Sequence, residues 1–243
     1  MADLTLYVDL MSQPSRSVYI FAKANNIPFN LHRVQLFKGE HQSEEYGKIN
    51  ILRKVPALKD GDFTMAESTA MLLYMARKFK TPDHWYPADV KKCALVDEYL
   101  AWQHTNTRPN GSKVFWVKLM APVVMGQEAP REKVDAILAE FDTTLKLLED
   151  KFIQNKPFIA GDKISVADLV AIVEIMQVVG AGIAVFDERP KLAAWKKRVV
   201  EALGEELFLE SHECILNAKK MASEPFPPEL IQMLKSKMAV IYQ

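Results

Sequence analysis

The hydrophobic period of this chain changes once, across a short proline-bearing stretch, and that change demands two domains of different class. Before it, strand and helix signals alternate. Leu4, Leu6 and Val8 alternate with Thr5, Tyr7 and Asp9 and predict a first strand. Pro14 suits the first turn of the next helix, which carries Val18, Ile20, Phe21 and Ala22. Pro28-Phe29-Asn30-Leu31 opens a second strand, and after an irregular stretch with Gly39 a short helix is expected around Ser43–Lys48. Ala57–Lys59 and Phe63–Met65 flank Asp60-Gly61-Asp62, a hairpin signal. From Glu67 onward, Ala70, Met71, Met75 and Phe79 return to helical spacing. The order β-α-β-α-β-β-α needs one parallel and one antiparallel pairing, so the sheet is expected to be mixed.

Residues 80–89 carry two prolines and no period, which predicts a linker at 81–89 between domains at 1–80 and 90–243. Everything after it reads as helix. Val134, Ile137, Leu138, Phe141, Leu145, Leu148 and Phe152 mark a one-faced bundle helix. Ser165–Val179 is apolar almost all round, as a helix enclosed by others would be. Ser165 and Asp168 match a capping box at its start, with Ile164 and Leu169 as the hydrophobic staple. Trp195, Val199 and Leu203, then Phe208, Ile215 and Leu216, supply two further helices. The fold class is therefore an α/β domain followed by an all-helical bundle.

Composition narrows the function classes. Lysine and arginine total 31 and aspartate and glutamate total 31, a balance that argues against nucleic acid as a partner. At 49% apolar the chain is too hydrophobic for disorder. No apolar run approaches the ~18–20 residues of a membrane span, and Met1-Ala2-Asp3-Leu4 lacks the marks of a signal peptide. Cys93 and Cys214 fall outside any metal-like spacing and read as two reduced, buried thiols of a cytoplasmic protein. Met71, Met75, Met120, Met125 and Met176 read as core filler or as the lining of an adaptable apolar pocket.

Four places can carry chemistry. Ser12-Gln13-Pro14-Ser15 sits at the first strand-to-helix corner, where unpaired N–H groups and the positive end of the helix dipole favour an anion. With no cysteine before Cys93, disulfide exchange at this corner is excluded. Ser12 reads either as a turn or cap residue or as a hydroxyl donor to an anionic sulfur or oxygen. Val55-Pro56 precedes a strand; a cis bond there would leave the Val55 N–H and C=O free to pair with an extended peptide-like ligand, while a trans bond is the ordinary alternative. Glu67-Ser68 opens the helix after the hairpin, and suits either any helix start or a ligand with both a carboxylate and an ammonium, like the γ-glutamyl end of glutathione. His41 and Lys54 lie on neighbouring loops and could grip a second carboxylate or simply be solvated. Arg108 is expected late in the first long helix of the second domain, on its surface. No Gly-x-Ser-x-Gly elbow and no His-x-x-x-His pair occurs, so hydrolase and metal chemistry are disfavoured and no metal is expected.

In order and spacing these pieces resemble the theta class of cytosolic glutathione transferases over nearly the whole chain. The specific stretches are Leu10-Met11-Ser12-Gln13-Pro14-Ser15-Arg16, the run from Lys54 to Phe63, the run from Val96 to His104, and Ser165-Val166-Ala167-Asp168-Leu169. The resemblance implies a thioredoxin-like first domain, glutathione as co-substrate, and Ser12 as the catalytic serine used where several other classes use tyrosine. It implies glutathione binding by His41, Lys54, Val55, Glu67 and Ser68, with Val55 pairing through its backbone beside a cis Pro56. It places a second-domain contribution at Thr105–Arg108. Thr105 stands where some members carry an acidic residue that helps bind the γ-glutamyl amine of the neighbouring subunit's glutathione, and threonine leaves that contact weaker or absent. The resemblance also implies a homodimer and a C-terminal extension over the active site, about residues 221–243, in which Lys237 stands near a position that alters substrate choice.

The implied activity is attack of glutathione thiolate on small electrophiles: alkyl halides, epoxides and isothiocyanates, with reduction of organic hydroperoxides. A free thiol with pKa near ~8.5 is mostly protonated at neutral pH. One serine hydrogen bond plus a helix N-terminus would favour the thiolate by about 2–3 kcal/mol. The competing class is a non-catalytic adaptor that binds glutathione or protein, since the same two-domain fold serves in translation factors and in intracellular channel-like proteins.

Overall fold

The protein is described from a computed structural model covering residues 3–223 and 226–242. The side chain of Lys237 and parts of the expected C-terminal extension lie outside the described residues.

The first domain follows the expected order: β1 (Leu4–Val8), α1 (Gln13–Ala24), β2 (Asn30–Arg33), α2 (Glu44–Ile49), β3 (Ala57–Asp60), β4 (Phe63–Met65) and α3 (Ser68–Lys78). The sheet runs β2-β1-β3-β4 and is mixed. β1 is parallel to β2, Leu6 opposite Leu31, and antiparallel to β3, Leu6 opposite Leu58. The alternation read from β1 is real: Leu4, Leu6 and Val8 are buried, and they share a core with Val18 and Phe21 of α1 and Met71 and Met75 of α3. β3 and β4 close through a turn at Gly61, whose φ of 63° favours a residue without Cβ. Ser43 caps α2 by accepting the Tyr46 N–H at 3.1 Å.

The linker is docked rather than free. Its short helical turn, Asp83–Trp85, buries Trp85 against Phe21 at a ring separation of 5.3 Å. The second domain comprises α4 (Val90–Gln103), α5 (Thr107–Phe115), α6 (Ala121–Met125), α7 (Arg131–Leu147), α8 (Val166–Gly180), α9 (Pro190–Leu203), α10 (Glu205–Leu216), α11 (Ala218–Ala222) and α12 (Pro228–Tyr242). The enclosed helix of the sequence is α8, buried along nearly its whole length among α1, α4, α5, α9 and α10. Its capping box forms: the N–H and hydroxyl of Ser165 both donate to the Asp168 carboxylate at 3.0 Å. Asp168 also accepts from the Ile159 N–H and the Trp195 indole, so it joins α9 to the start of α8.

Four expectations need correction. Arg108 is not late in a long helix but in the first turn of α5, because α4 stops at Gln103. The Asn106 amide donates to the Trp102 carbonyl at 2.9 Å and competes with the backbone ladder there. The two cysteines are free but only half-buried. Met125 is exposed at the end of α6, while the other four methionines are buried. Leu216, read as a core residue of its helix, is exposed at the end of α10. Between α5 and α6 the helix widens over Trp116–Met120, with the Ala121 N–H reaching back to the Trp116 carbonyl. Pro122 explains this, since it has no N–H and its ring crowds the preceding turn.

Candidate active site

The corner after β1 is built by hydrogen bonds that place Ser12 at the mouth of a helix. Asp9 accepts the Met11 N–H and the Leu36 N–H, each at 2.9 Å, and so ties the corner to the loop beyond β2. Ser12 donates its N–H to the Asp9 carbonyl at 2.9 Å, and its own carbonyl accepts the Arg16 N–H at 3.0 Å. It therefore holds the N-cap position of α1 in extended conformation, yet its side chain makes no cap hydrogen bond among the described residues. The hydroxyl, the first N–H groups of α1 and the positive end of the helix dipole are thus presented together. Gln13 donates to the Ser112 hydroxyl at 3.1 Å and fixes this corner against α5.

The corner opens onto a cavity of about 770 Å³ between the two domains. Ser12, His41, Lys54, Val55 and Arg108 all line it. His41 is buried on a short helical turn, Glu40–Gln42. Lys54 is exposed, and its carbonyl is held by the Tyr46 hydroxyl and the Asn50 amide, both at 2.8 Å. Burial pushes the Tyr46 phenol up to about 12, so it remains a donor. The Val55–Pro56 bond is cis. Arg53, at φ 52°, donates to the carbonyls of Gln42 and Ser43 and binds the His41 turn to the Val55 loop. Apolar side chains complete the lining: Phe115, Trp116 and Met120, with Met233 and Leu234 of α12.

Arg108 donates its Nε to Glu174 at 2.8 Å. Glu174 is fully buried on α8, and burial pushes its carboxyl up while the Arg108 charge opposes the shift. The far Nη2 of Arg108 is buried with no partner among the described residues.

Glu67, Ser68 and Thr105 do not line this cavity. Glu67 is exposed at the N-cap of α3 with φ 66° and ψ 100°, a conformation rare for any residue but glycine. It presents Ser68, whose buried hydroxyl has no partner among the described residues. Thr105 is exposed in the α4–α5 turn, where its hydroxyl donates to the Trp102 carbonyl at 3.3 Å. The local pattern missed Asp9, Gln13 and Arg53, which shape the cavity through bonds to distant backbone or to α5. Among the described residues, no group of three or more His, Cys, Asp or Glu is placed to hold a metal ion, and no helix is long and apolar enough to cross a membrane.

The chain is similar to known proteins over nearly its whole length. The family model described as the N-terminal domain of glutathione S-transferase matches residues 2–77, and that of its C-terminal domain matches residues 109–202. Human glutathione S-transferase theta-1 is 57% identical over 225 residues, covering 93% of this chain and 92% of the relative. Mouse glutathione S-transferase theta-3 is 54% identical, with 99% and 98% covered. The solved structure of human glutathione-S-transferase T1-1 in its apo form superposes with a TM-score of 0.94 at 54% identity, covering 99% of this chain and all of that one. A structure of human glutathione transferase theta-2 in complex with glutathione and an unknown ligand gives 0.92 at 45% identity, with 98% and 99% covered. Likeness at this level sets the adaptor reading aside. The chain belongs to the glutathione S-transferase family, within its theta class, and is a glutathione transferase.

Proposed function

We propose that Ser12 holds glutathione as its thiolate and that this sulfur attacks small electrophiles entering the apolar half of the cavity. The observation that carries the reading is the Ser12 hydroxyl, left unused by its own helix at the N-terminus of a 12-residue α1 and set on the cavity wall. A hydroxyl donor and a helix N-terminus both stabilise the anion over the thiol, and the thiol proton leaves to water. With an alkyl halide the sulfur–carbon bond forms as the carbon–halogen bond breaks, and halide departs with the electron pair. At an epoxide the sulfur–carbon bond forms as a ring carbon–oxygen bond breaks, and the alkoxide takes a proton from water. An isothiocyanate takes the sulfur at its central carbon and a water proton at its nitrogen. An organic hydroperoxide gives its terminal oxygen to the sulfur as the O–O bond breaks and the alcohol leaves, and a second glutathione reduces the sulfenic acid to glutathione disulfide and water. Holding the two reactants in one cavity adds proximity to nucleophilicity.

The rest of glutathione is assigned to the remaining predicted residues. Val55 pairs with its backbone beside cis Pro56, while His41 and Lys54 take the glycyl carboxylate. Glu67 and the Ser68 hydroxyl, which has no partner among the described residues, take the γ-glutamyl end, and Arg108 closes the second-domain side. Thr105 contributes little, in keeping with its exposed turn. The theta-2 relative crystallised with glutathione supports the ligand. Domain 1–80 binds glutathione, and domain 90–243 supplies the electrophile wall with its C-terminal segment above. The protein works in the cytoplasm as a homodimer, without metal, membrane or nucleic acid. The test is turnover of glutathione with a panel of alkyl halides, epoxides, isothiocyanates and cumene hydroperoxide. Conjugation of at least one of the first three classes is expected; no turnover across the panel overturns the reading.

A further inference from the structure

Arg16 is fully buried, although nothing in the chemistry above uses it. It stands one turn into α1, and a helical side chain leans toward its own N-terminus, so the guanidinium returns beneath the corner that carries Ser12. There its Nη1 donates to the carbonyls of Leu10, at 2.7 Å, and Met11, at 3.2 Å. Its Nη2 donates to the Val173 carbonyl at 3.0 Å and to the Gln177 side chain at 2.7 Å, both on α8. One side chain therefore clamps the two residues preceding Ser12 to the central helix of the other domain. The bonded carbonyls need only neutral donors, yet the residue is a cation whose burial is costly. Burial brings it down to about 10, opposed by Glu174 on α8, Cys214 on α10 and Asp9 at the end of β1. It therefore stays charged at neutral pH. Among the described residues, His212 of α10 also faces it and is held neutral by burial, and Arg108 of α5 shares Glu174 with it.

We propose that Arg16 is a positioning residue for the Ser12 corner whose buried charge also helps hold the bound thiol ionised, a role that rests on the thiolate reading above. Its charge offsets the nearby Asp9 carboxylate and shares with Arg108 the compensation of Glu174. Without it the field at the corner would favour an anion less; a unit charge on the order of 10 Å away at an effective dielectric of about 20 moves a thiol midpoint by about one pH unit.

The test is the midpoint of the glutathione thiolate absorbance near 240 nm, measured on the saturated wild type, Arg16→Gln and Arg16→Lys. Arg16→Gln should raise the midpoint by about one pH unit. Arg16→Lys keeps the charge and loses the fork; it should stay within about 0.3 pH unit of wild type while kcat falls several-fold. A structural role alone would not separate these two variants. Should Arg16→Gln fail to fold, Gln177→Met frees the same Nη2 without adding a charge to the cavity wall; the midpoint should stay within about 0.3 pH unit of wild type while kcat falls, and a rise of about one unit would overturn the charge role. The proposal is overturned if the charge-removing variant titrates like wild type, or if Arg16→Lys rises as far as Arg16→Gln. A wild type whose bound thiol titrates like free glutathione would overturn the thiolate reading too, so the two failures are told apart by the wild-type curve.

Discussion

Serine is favoured at helix N-caps because its oxygen accepts an N–H two or three residues on, and its loss there typically costs about 1 kcal/mol. Ser12 occupies that position without making the bond. Ser12→Ala should therefore leave the melting temperature within about 2 °C of wild type. Its kcat/KM with an alkyl halide should fall about 10- to 30-fold, the equivalent of ~1.5–2 kcal/mol, since the helix N-terminus keeps its share. Glu67 is the opposite case, a residue strained in place. Its φ of 66° costs a non-glycine residue on the order of 1–3 kcal/mol. Glu67→Gly should raise stability in urea by about 1 kcal/mol while weakening glutathione binding, read by calorimetry. The corner that carries Ser12 was legible from strand and turn signals, whereas the cis bond at Val55–Pro56 and the roles of Ser12 and Val55 rested on the family resemblance. The strain at Glu67 was not legible, since nothing in Met65-Ala66-Glu67-Ser68 demands a positive φ. Nor was the Gln13–Ser112 bond, which joins residues far apart in sequence.

Elements were legible wherever one period ran unbroken. α8 shows this best: its all-round apolar pattern and the Ser165/Asp168 signal gave both its burial and its start. The break before α5 carried a signal that the helical reading passed over: Pro109 lies in the first turn of α5 and cannot continue α4, and the Asn106 side chain turns back to Trp102. The packing of α10 against α1 and α8 also has a consequence no pattern announces. His212 is fully buried there, with Nδ1 2.8 Å from the Phe208 carbonyl. Burial, aided by the Arg16 charge, pushes it down to about 3. Because the folded value lies below the unfolded ~6.5, its neutral form favours folding above that pH, and the advantage is lost as pH falls toward 3. Unfolding free energy should drop by up to about 1.4 kcal/mol per pH unit from this group alone. Urea titrations between pH 7 and 4 should show a shallower decline for His212→Phe; equal slopes would contradict the assignment.

At the scale of the molecule, two domains meet through α1 and α8, and the docked Trp85 keeps their connection short. The cavity is lined from both domains around Ser12, with Met233 and Leu234 of α12 among its residues. Two domains and a mixed sheet could be read from the change of period. The shape of the cleft could not, since it depends on how α5, α8 and α12 approach the first domain. Outside the cleft, Phe63 of β4 and Val90 and Leu95 of α4 are exposed, Val90 at 81%. Apolar side chains of this kind suit a partner surface. Light scattering should give twice the 27.6 kDa chain mass, and a monomer at micromolar concentration would contradict the homodimer.

The central claim is that a single unspent hydroxyl at a helix N-terminus holds a thiolate. It is tested most directly by titrating the ultraviolet absorbance of glutathione bound to wild type and to Ser12→Ala. Wild type should ionise the thiol about two pH units below free glutathione, and Ser12→Ala should lose most of that shift while still binding. Equal midpoints for the two proteins would contradict the account.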